Sequence, residues 1–138
     1  MPPTLEDAIA LACRAHRGQL DKNGQPYILH VLRVMMKQQD PTARIVAVLH
    51  DVVEDSETTI DDLRAAGYSA ETCDAVDALT RRENEGDDQM IARVAANPLA
   101  RSVKIADLED NMHPARRLPG DREAERQQKY AAARSLLK

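Results

Sequence analysis

The chain lacks phenylalanine and tryptophan, and it has only three tyrosines among its 138 residues. A core must therefore be assembled from aliphatic side chains, and the abundant alanine and leucine are strong helix formers. The composition predicts an all-α protein. Because a chain of this length suits one hydrophobic core, we expect residues 1–138 to form a single domain.

Long apolar runs, basic clusters and paired cysteine motifs are missing as well. No stretch approaches the roughly 18 apolar residues of a membrane span, and no secretory leader is recognised. Acidic residues outnumber basic ones 23 to 19, and the basic ones are scattered, which argues against nucleic acid or an anionic membrane as partner. Cys13 and Cys73 lack CxxC spacing, so we expect small core residues in a reduced, cytoplasmic protein.

Capping residues and helical spacing divide the chain into short helices. Thr4 with Asp7 is typical of a capping box, and both Asp40 and Asn97 precede a first-turn proline. Residues 18–27 show no periodicity and hold two glycines, which predicts a loop. The expected helices cover residues 4–17, 27–39, 41–54, 58–67, 69–79 and 88–96, then a helix that starts at 97 and carries 104–111, and an exposed final helix over 121–137.

The segment AVLHDVVEDS, residues 47–56, places one histidine and three acids at the edge of an apolar stretch. On a helix, His50 and Asp51 project about 100° apart, so both can reach one ion only if it lies over the surface between them. Glu54 lies one turn further on the same face, where it can reach past the ion toward solvent or substrate. Asp55 lies near the expected helix end.

Two more polar residues interrupt apolar helical runs, namely His30 in ILHVLRV and Asp107 in VKIADLEDN. Taken singly, each is more typical of a hydrogen-bonded core residue than of a ligand. The same reasoning applies to His16 and His113, which we interpret as structural or surface residues. A buried, unpaired carboxylate costs several kcal/mol, and one ion shared by two imidazoles and two carboxylates would satisfy all the groups at once. The predicted metal ligands are therefore His30, His50, Asp51 and Asp107.

The mixture of nitrogen and oxygen ligands bears on the identity of the metal. Such a set with open coordination positions fits a single Mn²⁺ ion best, with Fe²⁺ and Zn²⁺ as alternatives. Ligand type alone does not decide among the three.

Three linked motifs resemble a known family. The order His, His-Asp, Asp is the signature of the HD phosphohydrolase superfamily. AHRGQLDKNGQPYILH, LHDVVEDS and VKIADLEDNM resemble, in order and approximate spacing, the hydrolase domain of RelA/SpoT-type enzymes and the small stand-alone alarmone hydrolases. The likeness spans about residues 8–112 and leaves 113–138 as a C-terminal loop and helix. It implies a helical bundle, in agreement with the composition.

The resemblance also implies an activity and site residues. The activity is metal-dependent removal of pyrophosphate from the 3′ position of guanosine tetra- or pentaphosphate, an alarmone hydrolase of the stringent response. Glu54 and Asp55 match the family's paired acids beside the metal, where they would handle the reacting water as catalytic residues. Lys22 matches a basic loop residue near the substrate, and Asn111 one that contacts the nucleoside.

Cations are needed to bind the dense negative charge of a pyrophosphate. Lys104, Arg81 and Arg82 are the other cations expected near the cleft, although simple surface solvation is the alternative for either arginine. We therefore assign Lys22, Lys104, Asn111 and Arg81 to substrate binding, with a small phosphorylated nucleotide as the partner. The sequence makes no prediction of oligomeric state.

The sequence departs from the family pattern at three positions. Asp21 stands where an arginine that stacks on guanine is usual, Val31 where a proline follows the ligand histidine, and Pro114 where a threonine helps to seat the base. Two alternatives therefore remain beside the alarmone hydrolase. One is an HD hydrolase of another phosphorylated nucleotide, such as an adenosine alarmone, NADPH or a nucleoside phosphate, and the other is a non-catalytic nucleotide-binding module.

Overall fold

The computed structural model describes residues 1–120 and 122–138, and these residues fold into helices joined by short loops. An isolated β-bridge joins Leu20 to Pro26 in the loop after the first helix. The all-α prediction is therefore confirmed. The helices are α1 (Leu5–Ala15), α2 (Ile28–Met36), α3 (Pro41–Leu49), α4 (Val52–Asp55), α5 (Ile60–Ala65), α6 (Ala70–Leu79), α7 (Asp87–Ala95), α8 (Pro98–Met112), the 3₁₀ turn Pro114–Arg116 and α9 (Arg122–Leu137).

The three predicted N-caps, Thr4, Asp40 and Asn97, are the observed ones. Thr4 Oγ1 accepts from the Asp7 amide at 3.1 Å, and the Asp7 carboxylate accepts from the Thr4 amide at 2.9 Å, so the capping box is formed. Asp40 caps α3 and Asn97 caps α8, each ahead of its proline. Residue 121, the expected first residue of the last helix, lies outside the described residues.

Helix α3 lies at the centre of the fold. Four consecutive residues, 46–49, are fully buried, so the last turn of α3 is enclosed on all sides, and the helix packs against α1, α2, α6 and α8. A helical turn that is apolar all round is stable only when other helices cover it. This arrangement brings α2 and α8, which carry the other predicted ligands, against the end of α3.

The helix expected over residues 41–54 is interrupted at its functional end. Its backbone leaves the α-helical path after Leu49: the His50 amide bonds the Ala47 carbonyl, three residues back, at 3.4 Å, and Asp51 adopts φ −106° and ψ −1°. A new helix, α4, then starts at Val52. At this break the His50 ring competes with the backbone for the same carbonyl, and Asp51 lies in the sparsely populated bridge region.

Cys13 differs from expectation, and the final helix does so in part. Most residues of α9 are exposed, as expected, but the helix packs on α7 and α8 and buries Leu137, which is 2% exposed. Cys13 is exposed on α1, whereas Cys73 is buried as expected. Among the described residues, every helix is too short or too polar to cross a lipid bilayer.

Candidate active site

Four predicted ligand side chains meet where α2, α3 and α8 come together. His30 comes from α2, His50 and Asp51 follow the end of α3, and Asp107 comes from α8. One donor atom from each lies within 4.8 Å of all the others. The four donors are thus close enough to share one ion, although they are separated by up to 77 residues in sequence.

The break after α3 sets the positions of His50 and Asp51. His50 Nδ1 donates to the Ala47 carbonyl at 2.5 Å, because a carbonyl can only accept. The opposite ring nitrogen, Nε2, then lies 3.0 Å from Asp51 Oδ2 and 3.6 Å from Asp107 Oδ1. The end of the helix therefore brings the side chains of His50 and Asp51 together. On a continuous helix they would project about 100° apart.

One buried atom indicates that a cation fits this cluster. Within the described residues, His50 Nε2 is buried and makes no hydrogen bond. Burial alone would lower the pKa of His50, but the carboxylates of Asp51 and Asp107 raise it well above its usual value. A nitrogen beside two carboxylates requires either a proton or a metal ion. Two imidazoles and two carboxylates are ligands that Mn²⁺, Fe²⁺ and Zn²⁺ accept, so the cluster could hold a metal ion.

His30 is held at both ring nitrogens by acids of α8. Its Nε2 lies 2.8 Å from Asp107 Oδ1, and its Nδ1 lies 2.6 Å from Asp110 Oδ2. Asp110 was not singled out from the sequence, although its spacing of three residues from Asp107 places it on the same helix face. It is 3% exposed, and two arginines, Arg33 and Arg116, contact its carboxylate.

Lys104 was predicted to bind substrate, but in the structure its ammonium group contacts a candidate metal ligand. Its Nζ lies 3.0 Å from Asp107 Oδ2, so it neutralises a candidate ligand. Burial acts to raise the pKa of Asp107, but Lys104 and the two imidazoles hold it well below its usual value. In turn, Asp107 raises the pKa of Lys104. Both groups are therefore charged at neutral pH.

Tyr27 is a second residue of the site that was not predicted from the sequence. Its hydroxyl donates to Asp51 Oδ2, and its ring lies against those of His16 and His30, at centroid distances of 5.1 and 5.4 Å. Burial and the Asp51 charge raise the pKa of Tyr27, which keeps the hydroxyl protonated as a donor. The signal available in the sequence was its place directly before α2, three residues ahead of His30.

The paired acids lie beside the cluster on α4. Glu54 accepts a hydrogen bond from the Arg81 amide, and burial, followed by the charges of Asp51 and Asp55, raises its pKa above the usual value. Asp55 accepts from Gln19 Nε2 at 3.1 Å. Both carboxylates are thus oriented by groups from outside α4.

Two of the cavities are each lined by a residue that contacts a candidate ligand, namely Tyr27, which contacts Asp51, and Lys104, which contacts Asp107. The first, of about 270 Å³, is lined by Tyr27, Lys22 and Asn111, and the second, of about 290 Å³, by Lys104 and Arg81. Each predicted substrate-binding residue therefore lines one of them. Tyr130 of α9 lines both.

Arg81 is engaged by other groups in the second cavity. Its guanidinium lies 3.0 Å from the Asp87 carboxylate, and it is about half exposed. Arg82 bonds Asp77 and two backbone carbonyls instead of lining either cavity. The interpretation of Arg82 as a surface residue fits these contacts better than a role in phosphate binding.

Asp21 is part of the loop structure. Its Oδ1 accepts from the amides of Asn23 and Gln25 at 2.8 and 2.9 Å, which is typical of an aspartate that shapes a turn. Its other oxygen lies 3.8 Å from Arg116 Nε. The negative charge that replaces the family's arginine is therefore next to a guanidinium from a different part of the chain.

Comparison with known proteins identifies the fold first. No protein-family model matches the chain. A solved structure described as a metazoan ortholog of SpoT that hydrolyzes ppGpp has a TM-score of 0.77 and 24% identity, and the match covers 99% of this chain and 85% of that chain. The chain therefore has the helical fold of that structure.

The sequence is also similar to part of several longer, curated proteins. The GTP pyrophosphokinase of Streptomyces coelicolor is 34% identical over 132 residues, which cover 86% of this chain and 16% of the relative. The guanosine-3′,5′-bis(diphosphate) 3′-pyrophosphohydrolase of Vibrio cholerae is 32% identical over 122 residues, which cover 78% of this chain and 17% of the relative. The predicted resemblance to RelA/SpoT-type enzymes is confirmed, and the chain spans about one sixth of the length of the curated relatives it matches.

Proposed function

We propose that this chain is a metal-dependent phosphohydrolase that removes pyrophosphate from the 3′ position of guanosine tetra- or pentaphosphate. The observation that carries the proposal is the convergence of two imidazoles and two carboxylates, with one donor atom of each within 4.8 Å of the others. The relative from Vibrio cholerae is a 3′-pyrophosphohydrolase by name, and the SpoT ortholog with the same fold hydrolyzes ppGpp. These similarities support the choice of substrate.

In this mechanism His30, His50, Asp51 and Asp107 would hold one divalent ion, with Mn²⁺ as our choice of metal. The chemistry supplied by such an ion is polarisation of a phosphoryl oxygen and a lowered pKa of water. Tyr27 and Ala47 support this set, because Tyr27 donates to Asp51 and the Ala47 carbonyl accepts from His50. These contacts leave His50 Nε2 facing the cluster.

Glu54 is the proposed proton acceptor. Its raised pKa lies closer to neutral pH than that of an ordinary glutamate, which suits proton transfer at the pH of the cell. The Arg81 amide holds the carboxylate at the edge of the site. Asp55, fixed by Gln19, would orient the attacking water.

The two cavities would divide the substrate between them. Lys22 and Asn111 line the first cavity, which we assign to the nucleoside, and Lys104 and Arg81 line the second, which we assign to phosphate groups. To bind phosphate, Arg81 would exchange its contact with Asp87. We further propose that residues 1–138 act as one hydrolase domain in the cytoplasm.

One observation favours a second candidate substrate. Asp21 accepts two backbone hydrogen bonds and lies beside Arg116, so the loop presents no guanidinium of its own for stacking on guanine. The same metal centre would then act on a different phosphorylated nucleotide. Adenosine alarmones, NADPH and nucleoside phosphates are the candidates.

A substrate panel tests these proposals. Purified protein with saturating Mn²⁺ is assayed for turnover of guanosine alarmones, adenosine alarmones, NADPH and simple phosphomonoesters, with elemental analysis of the bound metal. Fastest release of pyrophosphate from a guanosine alarmone supports the first proposal, and far faster turnover of another compound supports the second. Binding without turnover of any compound would indicate a non-catalytic nucleotide-binding module.

A further inference from the structure

Asp110 contacts the proposed metal centre without being one of its four converging donors. It is buried on α8, three residues after Asp107, and its Oδ2 lies 2.6 Å from His30 Nδ1. The other ring nitrogen, Nε2, lies 2.8 Å from Asp107 Oδ1. The imidazole is thus fixed in its plane between two carboxylates from the same face of α8.

Two guanidinium groups hold the Asp110 carboxylate. Arg33 donates through Nε to Oδ1 at 2.8 Å and through a terminal nitrogen to Oδ2 at 3.2 Å. Arg116 donates to Oδ2 at 3.3 Å. Because Arg33 comes from α2 and Arg116 from the 3₁₀ turn, the carboxylate is clamped from two separate elements.

These contacts favour one tautomer of the His30 ring, the one with its hydrogen on Nδ1. A carboxylate that faces two guanidinium groups remains an acceptor, so its bond to Nδ1 requires the hydrogen on Nδ1. Arg116 also lies 2.9 Å from Nδ1. It could donate there only if Nδ1 carried no hydrogen, and the closer Asp110 oxygen, at 2.6 Å, would then face a lone pair. With the hydrogen on Nδ1, the lone pair of Nε2 faces the candidate metal position.

We propose that Asp110 is a positioning residue of the metal centre: it accepts the Nδ1 hydrogen of His30 and directs Nε2 toward the ion shared with Asp107. The proposal rests on the metal-dependent function proposed above. Partners of this kind set the tautomer and orientation of ligand histidines in metal sites, and their loss typically costs about 10- to 100-fold in metal affinity.

The test compares Mn²⁺ affinities of folded variants. Asp110→Asn and Asp110→Ala are measured by titration calorimetry and by competition with a chelator, and circular dichroism verifies the fold. We expect the dissociation constant to rise by about 10- to 100-fold, and to rise at least as much for Ala as for Asn. The matched control is Glu109→Gln, which removes the adjacent acid of α8 and its 2.9 Å contact with Arg134. This control should bind Mn²⁺ as the parent does.

The outcomes separate the positioning role from the function itself. If the parent binds Mn²⁺ and Asp110→Ala, which has no acceptor for the Nδ1 hydrogen, binds it equally well, the positioning role is overturned and the metal centre stands. If the parent binds no Mn²⁺ and His50→Ala changes nothing, both proposals are overturned. If neither Asp110 variant folds, the double variant Arg33→Gln/Arg116→Gln decides, because it removes the hydrogen bonds that both guanidinium groups donate to Asp110 and leaves His30 intact. Weaker binding supports the role, and parent-like binding overturns it.

Discussion

The hydroxyl of Tyr27 donates a hydrogen bond to the carboxylate of Asp51, 24 residues further along the chain. This bond joins a residue that lines the first cavity to a candidate metal ligand. It orients the oxygen that lies 3.0 Å from His50 Nε2. Filling of the cavity and binding of the ion are therefore expected to influence each other.

Replacing Tyr27 with phenylalanine tests this connection. Loss of a hydrogen bond to a charged, largely buried carboxylate leaves Asp51 less well oriented, so we expect about tenfold weaker Mn²⁺ binding. Titration calorimetry measures the effect. The control is Tyr68→Phe, which removes a hydroxyl from a tyrosine that is 8% exposed and packs in the hydrophobic core. Equal affinity in parent and Tyr27→Phe would show that Asp51 is oriented without the hydroxyl.

Glu54→Gln separates proton transfer from metal binding. The amide keeps the size of the side chain but cannot accept a proton, so kcat should fall by about 10² to 10⁴ while the Mn²⁺ content stays at the parental value. Steady-state kinetics and elemental analysis give the two readings. Glu57→Gln changes an exposed acid nearby and should behave as the parent. An unchanged kcat in Glu54→Gln would remove this residue from the mechanism.

The pH dependence of activity follows from the raised pKa of Glu54. A proton acceptor works only in its ionised form, and a raised pKa keeps the carboxyl protonated to a higher pH than an ordinary glutamate. We therefore expect kcat/KM to fall on acidification, with a midpoint above the usual glutamate value of about 4.3. Mn²⁺ must be saturating at each pH, because protons compete with the metal for its ligands. A midpoint at or below the ordinary value would contradict the assignment.

Metal binding should stabilise the fold. The candidate ligands come from three regions of the chain that meet only in the folded state, so Mn²⁺ at 100 times its dissociation constant adds about 2.7 kcal/mol to the free energy of unfolding. For a chain of this size, Tm rises by about 5–10 °C. A chelator should reverse the rise, and His50→Ala should abolish it. Glu57→Gln, which changes an exposed acid that is not a candidate ligand, should keep the rise.

Much of the fold was readable from local signals. The capping box at Thr4 and the cap-then-proline pairs at Asp40 and Asn97 are short-range features, and each begins the helix it predicts. The position at which α3 ends was not predicted from the sequence. Whether a helix continues through His50 depends on competition between the ring and the backbone for the Ala47 carbonyl, and that depends on how the ring is packed.

The site shows the same division between local and tertiary information. His30, His50, Asp51 and Asp107 stood out because each interrupts an apolar run, and the structure brings them together; their role as ligands remains a prediction. Tyr27 and Asp110 were not identified, because a tyrosine before a helix and an acid in a charged segment have ordinary local explanations. Their importance arises from contacts across 24 and 80 residues, which composition and spacing do not encode.

The position of Tyr130 has a consequence for shortened versions of this protein. The region of family likeness, about residues 8–112, contains all the predicted ligands and both paired acids, but Tyr130 forms a wall of both cavities. A chain cut after Met112 would keep the complete ligand set and lose the tyrosine that lines both the cavity proposed for the nucleoside and the cavity proposed for phosphate. Such a truncated enzyme would be expected to discriminate poorly among nucleotides even if it still captured the ion.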